Sequence, residues 1–99
     1  MTQFRITPQA QESLKDIGRH TLEKWGREQR DRYLRDIDKR FSWLAKRPGV
    51  GRVRDDIAEG YYCFPQGSHL IFYILSDVGI DVIDVVHQDM DIINYFETP

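Results

Sequence analysis

The chain is short of cysteine, of long apolar runs and, past its midpoint, of positive charge. Cys63 is the only cysteine, so no internal disulfide can form and nothing in the composition asks for an oxidising compartment. No apolar run approaches the roughly 20 residues that cross a bilayer, so no membrane association is expected. The start, Met1-Thr2-Gln3-Phe4-Arg5-Ile6, lacks the basic end, apolar centre and small-residue cleavage site of a secretory leader. The expected location is the cytoplasm. The three histidines, His20, His69 and His87, have no metal-ligand spacing, and a lone thiol cannot complete a thiolate zinc site. Pro48-Gly49-Val50-Gly51-Arg52 follows a helical pattern rather than a strand and lacks the Lys-Ser/Thr ending of a phosphate loop, so it reads as a turn. Neither metal nor cofactor is expected.

The missing positive charge is the most informative absence. Every Lys and Arg lies at or before Arg54: residues 1–54 carry 14 basic and 7 acidic side chains, whereas residues 55–99 carry 9 acidic and none basic. The formal net charge of −2 therefore averages two oppositely charged halves, the asymmetry that signals an electrostatic partner. With 40% apolar and 30% charged residues among 99, the composition is that of a globular protein, and residues 1–99 are expected to form one domain around one modest core.

Along the chain, Phe4-Arg5-Ile6 alternates as a strand would, and Thr7-Pro8 follows as an N-cap with proline at the first helical position. Ala10, Leu14, Ile17, Thr21 and Trp25 then recur every three or four residues, predicting an amphipathic helix that ends near Gly26. Gly18 inside it implies the close approach of another element. Tyr33, Ile37, Phe41 and Leu44 predict a second helix, stopping before Pro48, so that two helices of about 20 residues, each roughly 30 Å long, fold back at Gly26. The segment from Pro48 to Gly60 is expected to be a loop. Beyond it, strand-like runs at Tyr61–Phe64, His69–Leu75 and Ile80–Val86 are separated by turns at Pro65–Ser68 and Asp77–Gly79. The fold class is α+β: an N-terminal strand, an antiparallel helical hairpin, a three-stranded antiparallel meander and a short C-terminal helical turn capped by Asp89 or Asp91.

A sheet covered on one face should alternate apolar and polar residues, but His69–Leu75 carries large apolar groups on both faces. Two helices cover only one, so the other face needs the loop at 48–60, a second copy or a partner segment laid across it or added to its edge. Chemistry offers less. His87, His69, Tyr61 and Tyr73 could gather as an acid-base site for RNA cleavage, but the scissile phosphate needs a cation beside them, and after Arg54 there is none. On the second helix Arg27, Arg30, Arg35 and Lys39 alternate with Glu28, Asp31, Asp36 and Asp38, the pattern of a solvated face laced with intrahelical ion pairs. Without aromatic interleaving, this predicts no direct tight nucleic acid binding. A basic groove receiving an acidic protein segment fits better.

Several short motifs, weak singly, occur in a specific order: Pro8-Gln9-Ala10, Trp25-Gly26, Tyr33-Leu34, Pro48-x-x-Gly51-Arg52, Gly60-Tyr61, Phe64-Pro65-Gln66-Gly67-Ser68-His69, Ile71-Phe72-Tyr73 and His87-Gln88-x-Met90-Asp91. Over nearly the whole length the chain resembles the ParE branch of the ParE/RelE toxins of type II toxin-antitoxin systems. The resemblance implies a toxin that poisons DNA gyrase by binding, without catalytic residues, and that is neutralised in a hetero-oligomer by a cognate ParD-like antitoxin. The residues expected to meet the antitoxin are Arg52, Arg54, Tyr61, His69 and Tyr73. The RelE branch cleaves messenger RNA on the ribosome, and in that alternative His87 is the one candidate acid-base group. A member that only binds antitoxin is the third reading. Asp89 follows His87-Gln88 where many family sequences carry a basic residue.

Overall fold

The computed structural model describes residues 3–97. In chain order the elements are β1 (Gln3–Ile6), α1 (Pro8–Trp25), α2 (Arg27–Lys46), a 3₁₀ turn at Pro48–Val50, β2 (Arg52–Val53), β3 (Tyr62–Gln66), β4 (His69–Leu75), β5 (Gly79–His87) and α3 (Ile92–Glu97). Thr7 caps α1 as the sequence predicts: its side chain accepts from Ala10 N at 3.2 Å while its hydroxyl donates to Ile83 O at 2.9 Å, so one residue both starts the helix and ties it to the sheet. Gly26 alone joins the two helices, at φ +91°, a conformation open to glycine and strained for other residues. Gly18 is buried where the helices cross, and a Cβ there would stand 3.3 Å from Leu34 Cδ1, which is the close approach its position implied.

The five strands form one sheet in the order β1-β5-β4-β3-β2. The meander β3-β4-β5 is antiparallel, whereas β1 pairs with β5 in parallel, because the helical hairpin intervenes as a crossover. The sequence reading of 48–60 as loop misses β2, whose two residues pair Arg52 with Cys63 and Val53 with Tyr62. So short a strand carries too little pattern to be seen in isolation. The β3–β4 turn is also tighter than expected. The strand runs on through Pro65 and Gln66, and only Gly67-Ser68 turns, with Gly67 at φ +59° as a two-residue hairpin of this kind prefers.

Both faces of the sheet are covered. Against the helices, Ile37, Phe41 and Leu44 of α2 and Ala10 and Ile17 of α1 pack on Ile71, Tyr73, Ile80, Val82 and Val85. On the opposite face Cys63, Phe72 and Val86 lie beneath Ile57, Tyr61, Ile92, Tyr95 and Phe96. The cover expected from a partner is therefore supplied largely by this chain's own loop and by α3, which Asp91 caps through a 3.4 Å bond from Asn94 N. Trp25, placed in the α1 stripe by its spacing, lies beyond the sheet and is 65% exposed.

The two cores are phased by a bulge in β5. Phe72 pairs with Asp84 but Tyr73 pairs with Val82, leaving Ile83 as the extra residue. Val85 thereby joins Ile80 and Val82 on the helix side, while Ile83 and Val86 face the other core. At the other end of the strand Gly79 has φ +151° and no room beside β1: a Cβ would fall 2.1 Å from Gln3 O. Gly79→Ala should lower stability by about 2 kcal/mol or more through strain and displacement of β1. Gly49→Ala, with nothing within 4 Å of the new Cβ, should change it by less than about 0.5 kcal/mol. Urea unfolding of the two variants checks both values.

Candidate functional site

The three histidines, scattered in sequence, converge on one cleft of about 500 Å³ between α1, the ends of β4 and β5, and α3. His69 and His87 are cross-strand partners with ring centroids 5.3 Å apart, and His20 approaches from α1. The Tyr33 hydroxyl on α2 lies 2.6 Å from His69 Nδ1 and accepts from Ser68 N at 3.1 Å, so this tyrosine anchors both the imidazole and the hairpin turn. Burial, reinforced by the repulsion of His87 and His20, holds the His69 pKa down at about 4 from its usual 6.5. His87 is half exposed, and its Nδ1 accepts from Asp89 N at 3.1 Å. The Asp89 carboxylate lies 3.7 Å from the same nitrogen. No Lys or Arg lines the cleft, and Tyr61 and Tyr73 lie outside it, so the four residues suggested for acid-base work are not assembled. Among the described residues, no group of three or more His, Cys, Asp or Glu is placed to hold a metal ion.

The residues expected to contact an antitoxin separate into three places. Arg52 lies on β2, the last strand of the sheet, whose outer edge is unpaired among the described residues. Beside it Val50 and Val53 are 47% and 54% exposed. Arg54 and Tyr61 lie on the sheet face away from the helices. Arg54 is held by Asp56 through two bonds of 3.0 Å, and Tyr61 packs edge-on against Phe96 at 5.8 Å. His69 lines the cleft just described. Tyr73 presents no surface at all: it is fully buried, its hydroxyl donating to Pro48 O and accepting from Gly51 N, each at 2.9 Å. Its part is to hold the turn that delivers β2, and it is withdrawn as a partner contact.

Sequence spacing undervalued two features. The second helix is not laced with ion pairs: among the described residues the only one within it joins Arg30 and Asp31 at 2.9 Å. It also carries an aromatic, Trp43, partly buried and tilted against Phe64 at 5.3 Å, with Arg40 three residues before it and the C-cap residue Arg47 four after. Their guanidinium carbons lie 4.7 and 4.8 Å from the indole centroid.

Residues 4–92 match the model of the family described as the ParE toxin of the type II toxin-antitoxin system, parDE. The chain belongs to the ParE toxin family. It is 37% identical over 92 residues to Toxin ParE1 of Mycobacterium tuberculosis (strain H37Rv), covering 92% of this chain and 94% of that protein. With Toxin ParE1 of Caulobacter vibrioides it shares 32% over 91 residues, with the same coverage. A solved structure described as the chromosomal ParDE TA system from P. aeruginosa superposes with a TM-score of 0.72, over 88% of this chain and 96% of the other. At 18% identity that likeness speaks for the fold. The α+β fold of this ParE-family chain is thus the fold of that ParDE structure.

Two consequences can be measured. Tyr73→Phe removes the side-chain partner of the Gly51 N–H and should cost about 1–2 kcal/mol of stability, with partner affinity changed only so far as the β2 turn loosens. Because the folded His69 pKa lies below its unfolded value, the unfolded chain binds the extra proton between pH 6.5 and about 4. The neutral ring's contribution to stability is complete above pH 6.5 and is lost as pH falls toward 4. His69→Asn should flatten that part of the stability profile, and an NMR titration should find the ring neutral at pH 5.5.

Proposed function

We propose that this chain is a toxin that acts by binding, with DNA gyrase as its target, and that a ParD-like antitoxin holds it inactive in a cytoplasmic hetero-oligomer. The observation that supports antitoxin capture is the open edge of β2, where unpaired backbone groups, two exposed valines and the unpaired Arg52 lie together. An extended acidic segment can add there as a further strand, with main-chain bonds supplying affinity and the cation supplying register. Tyr61 and His69 border the same partner's path around the two ends of the sheet, and Arg54, already neutralised by Asp56, contributes less than Arg52. Gyrase as the target rests on family membership. The cation-free histidine cleft supports a binding mode over RNA cleavage, because a phosphoryl transition state there would find no positive charge.

Expression of the chain with and without its neighbouring small gene, followed by inspection of DNA and RNA, tests this reading. Growth arrest with filamentation and broken DNA, relieved by the neighbour, is the expected result. Arrest with cleaved messenger would replace gyrase by a RelE-type activity at His87, and no arrest would leave a partner that only binds antitoxin. For the purified pair, Arg52→Glu should weaken antitoxin binding at least tenfold at low salt and reduce its salt dependence. Arg54→Glu should do so less.

A further inference from the structure

The outer face of α2 is a second surface with its own chemistry, independent of the toxin reading. We propose that this face binds single-stranded nucleic acid along its phosphodiester backbone, without sequence preference. Arg32, Arg35, Lys39, Arg40 and Lys46 project from about four turns of α2, with Arg47 following as its C-cap, and among the described residues none has a carboxylate within 4.0 Å. On α1, by contrast, Lys15 and Arg19 are paired with Glu12 and Asp16. Asp36 is the one acid lining the shallow depression of about 300 Å³ beside Trp43, with Lys39, Arg40 and Gln66 as its neighbours. The acidic pair Asp77 and Asp81 is engaged by Arg5 at the far end of β4 from Gln66, roughly 20 Å away along the strand.

What distinguishes this stripe from a solvated helix face is that its guanidinium groups are oriented without being neutralised. Arg40 is fixed between two aromatic rings, 4.7 Å from the Trp43 centroid and 5.2 Å from that of Phe64, while its Nε donates to Gln66 Oε1 at 2.8 Å. Arg47 lies 4.8 Å from the same indole, with one terminal nitrogen donating to Trp43 O at 3.3 Å. The remaining N–H groups of both arginines are left for an external acceptor, and the planar fork suits phosphate oxygens. Successive helical turns present cations about 6 Å apart, close to the phosphate repeat of an extended single strand. Arg-aromatic surfaces of this kind serve strands whose bases can stack, the indole offering a platform when an arginine swings to a phosphate. An acidic peptide is the lesser fit, because the depression has no aliphatic lining to seat an apolar anchor.

Fluorescence anisotropy with a labelled 20-nucleotide oligothymidylate tests the proposal on the full chain. A dissociation constant between about 10⁻⁴ and 10⁻⁶ M near physiological salt is expected. About four phosphate contacts would make the affinity fall roughly 50-fold between 50 and 200 mM salt. The double variant Lys39→Glu/Arg47→Glu, both exposed and outside the core, should lose at least tenfold. Lys15→Glu/Arg19→Glu, the same change of charge on α1, should lose less than threefold. Circular dichroism confirms that each variant is folded. The proposal is overturned by absence of binding at 50 mM salt, by equal loss in the two variants, or by tighter binding of a 20-base-pair duplex. It is likewise overturned if a poly-glutamate peptide of matched charge displaces the oligonucleotide at equal concentration. None of these outcomes depends on antitoxin or gyrase binding.

Discussion

The arrangement depends on one buried carboxylate at the bulge of β5. Asp84 is 1% exposed and faces no cation. Instead Ser13 Oγ and Tyr95 OH donate to it at 2.5 Å each and Val85 N at 2.8 Å. A charge removed from water persists only if its lone pairs are satisfied, and here the donors come from α1, α3 and β5 itself. The same group therefore fixes the first helix on one side of the sheet and the terminal helix on the other. Were Ile83 an ordinary ladder residue rather than a bulge, strict alternation would send Val85 to the face away from Ile80 and Val82 and break the helix-side core. The bulge and the acid thus solve one problem together: a central strand serving two apolar layers. Burial, with Asp84 beside it, raises the Tyr95 pKa, which keeps the hydroxyl a donor across the physiological range.

Charge follows the same division of the chain. The acidic half is largely occupied with structure, as Asp77 and Asp81 hold Arg5, Asp84 joins the layers, Asp56 holds Arg54 and Asp91 caps α3. The basic half is not. On α2 the alternation of Arg with Asp and Glu would permit several i,i+4 pairs, yet Arg40 turns to Trp43, Phe64 and Gln66 instead. An exposed intrahelical pair is worth only a few tenths of a kcal/mol, which contact with two rings and a bond to Gln66 offset. The result is a positive helix face in a molecule whose net charge is negative.

Much of this was legible in the residues. The Thr7-Pro8 cap, the one-residue joint at Gly26, the run His69–Leu75 and the crowding at Gly18 follow from local rules whose cause lies within a few positions. What escaped had causes elsewhere in the chain. The two residues of β2 are a strand only because Cys63 and Tyr62 pair with them. In Ile80–Val86 a bulge changes phase where no glycine or proline marks it. Tyr73, expected at the antitoxin surface, is instead buried because Pro48 O and Gly51 N are brought to its hydroxyl. The family motifs identified the architecture but not which of their residues meet solvent.

The histidine cleft shows how placement, rather than residue type, decides what chemistry is available. A neutral imidazole beside a second, exposed one is a competent proton-transfer pair by type. Here His69 is held neutral by burial and by its neighbours, and its Nδ1 is engaged by Tyr33, so its remaining nitrogen is the only one that faces the cleft. No Lys or Arg lines the cleft, and on α1 beside it Arg19 is already paired with Asp16. Groups for proton transfer and groups for anion binding thus do not meet in one cleft. Moving a cation to position 89, next to His87, is the smallest change that would bring them together, and Asp89 occupies that place in this chain.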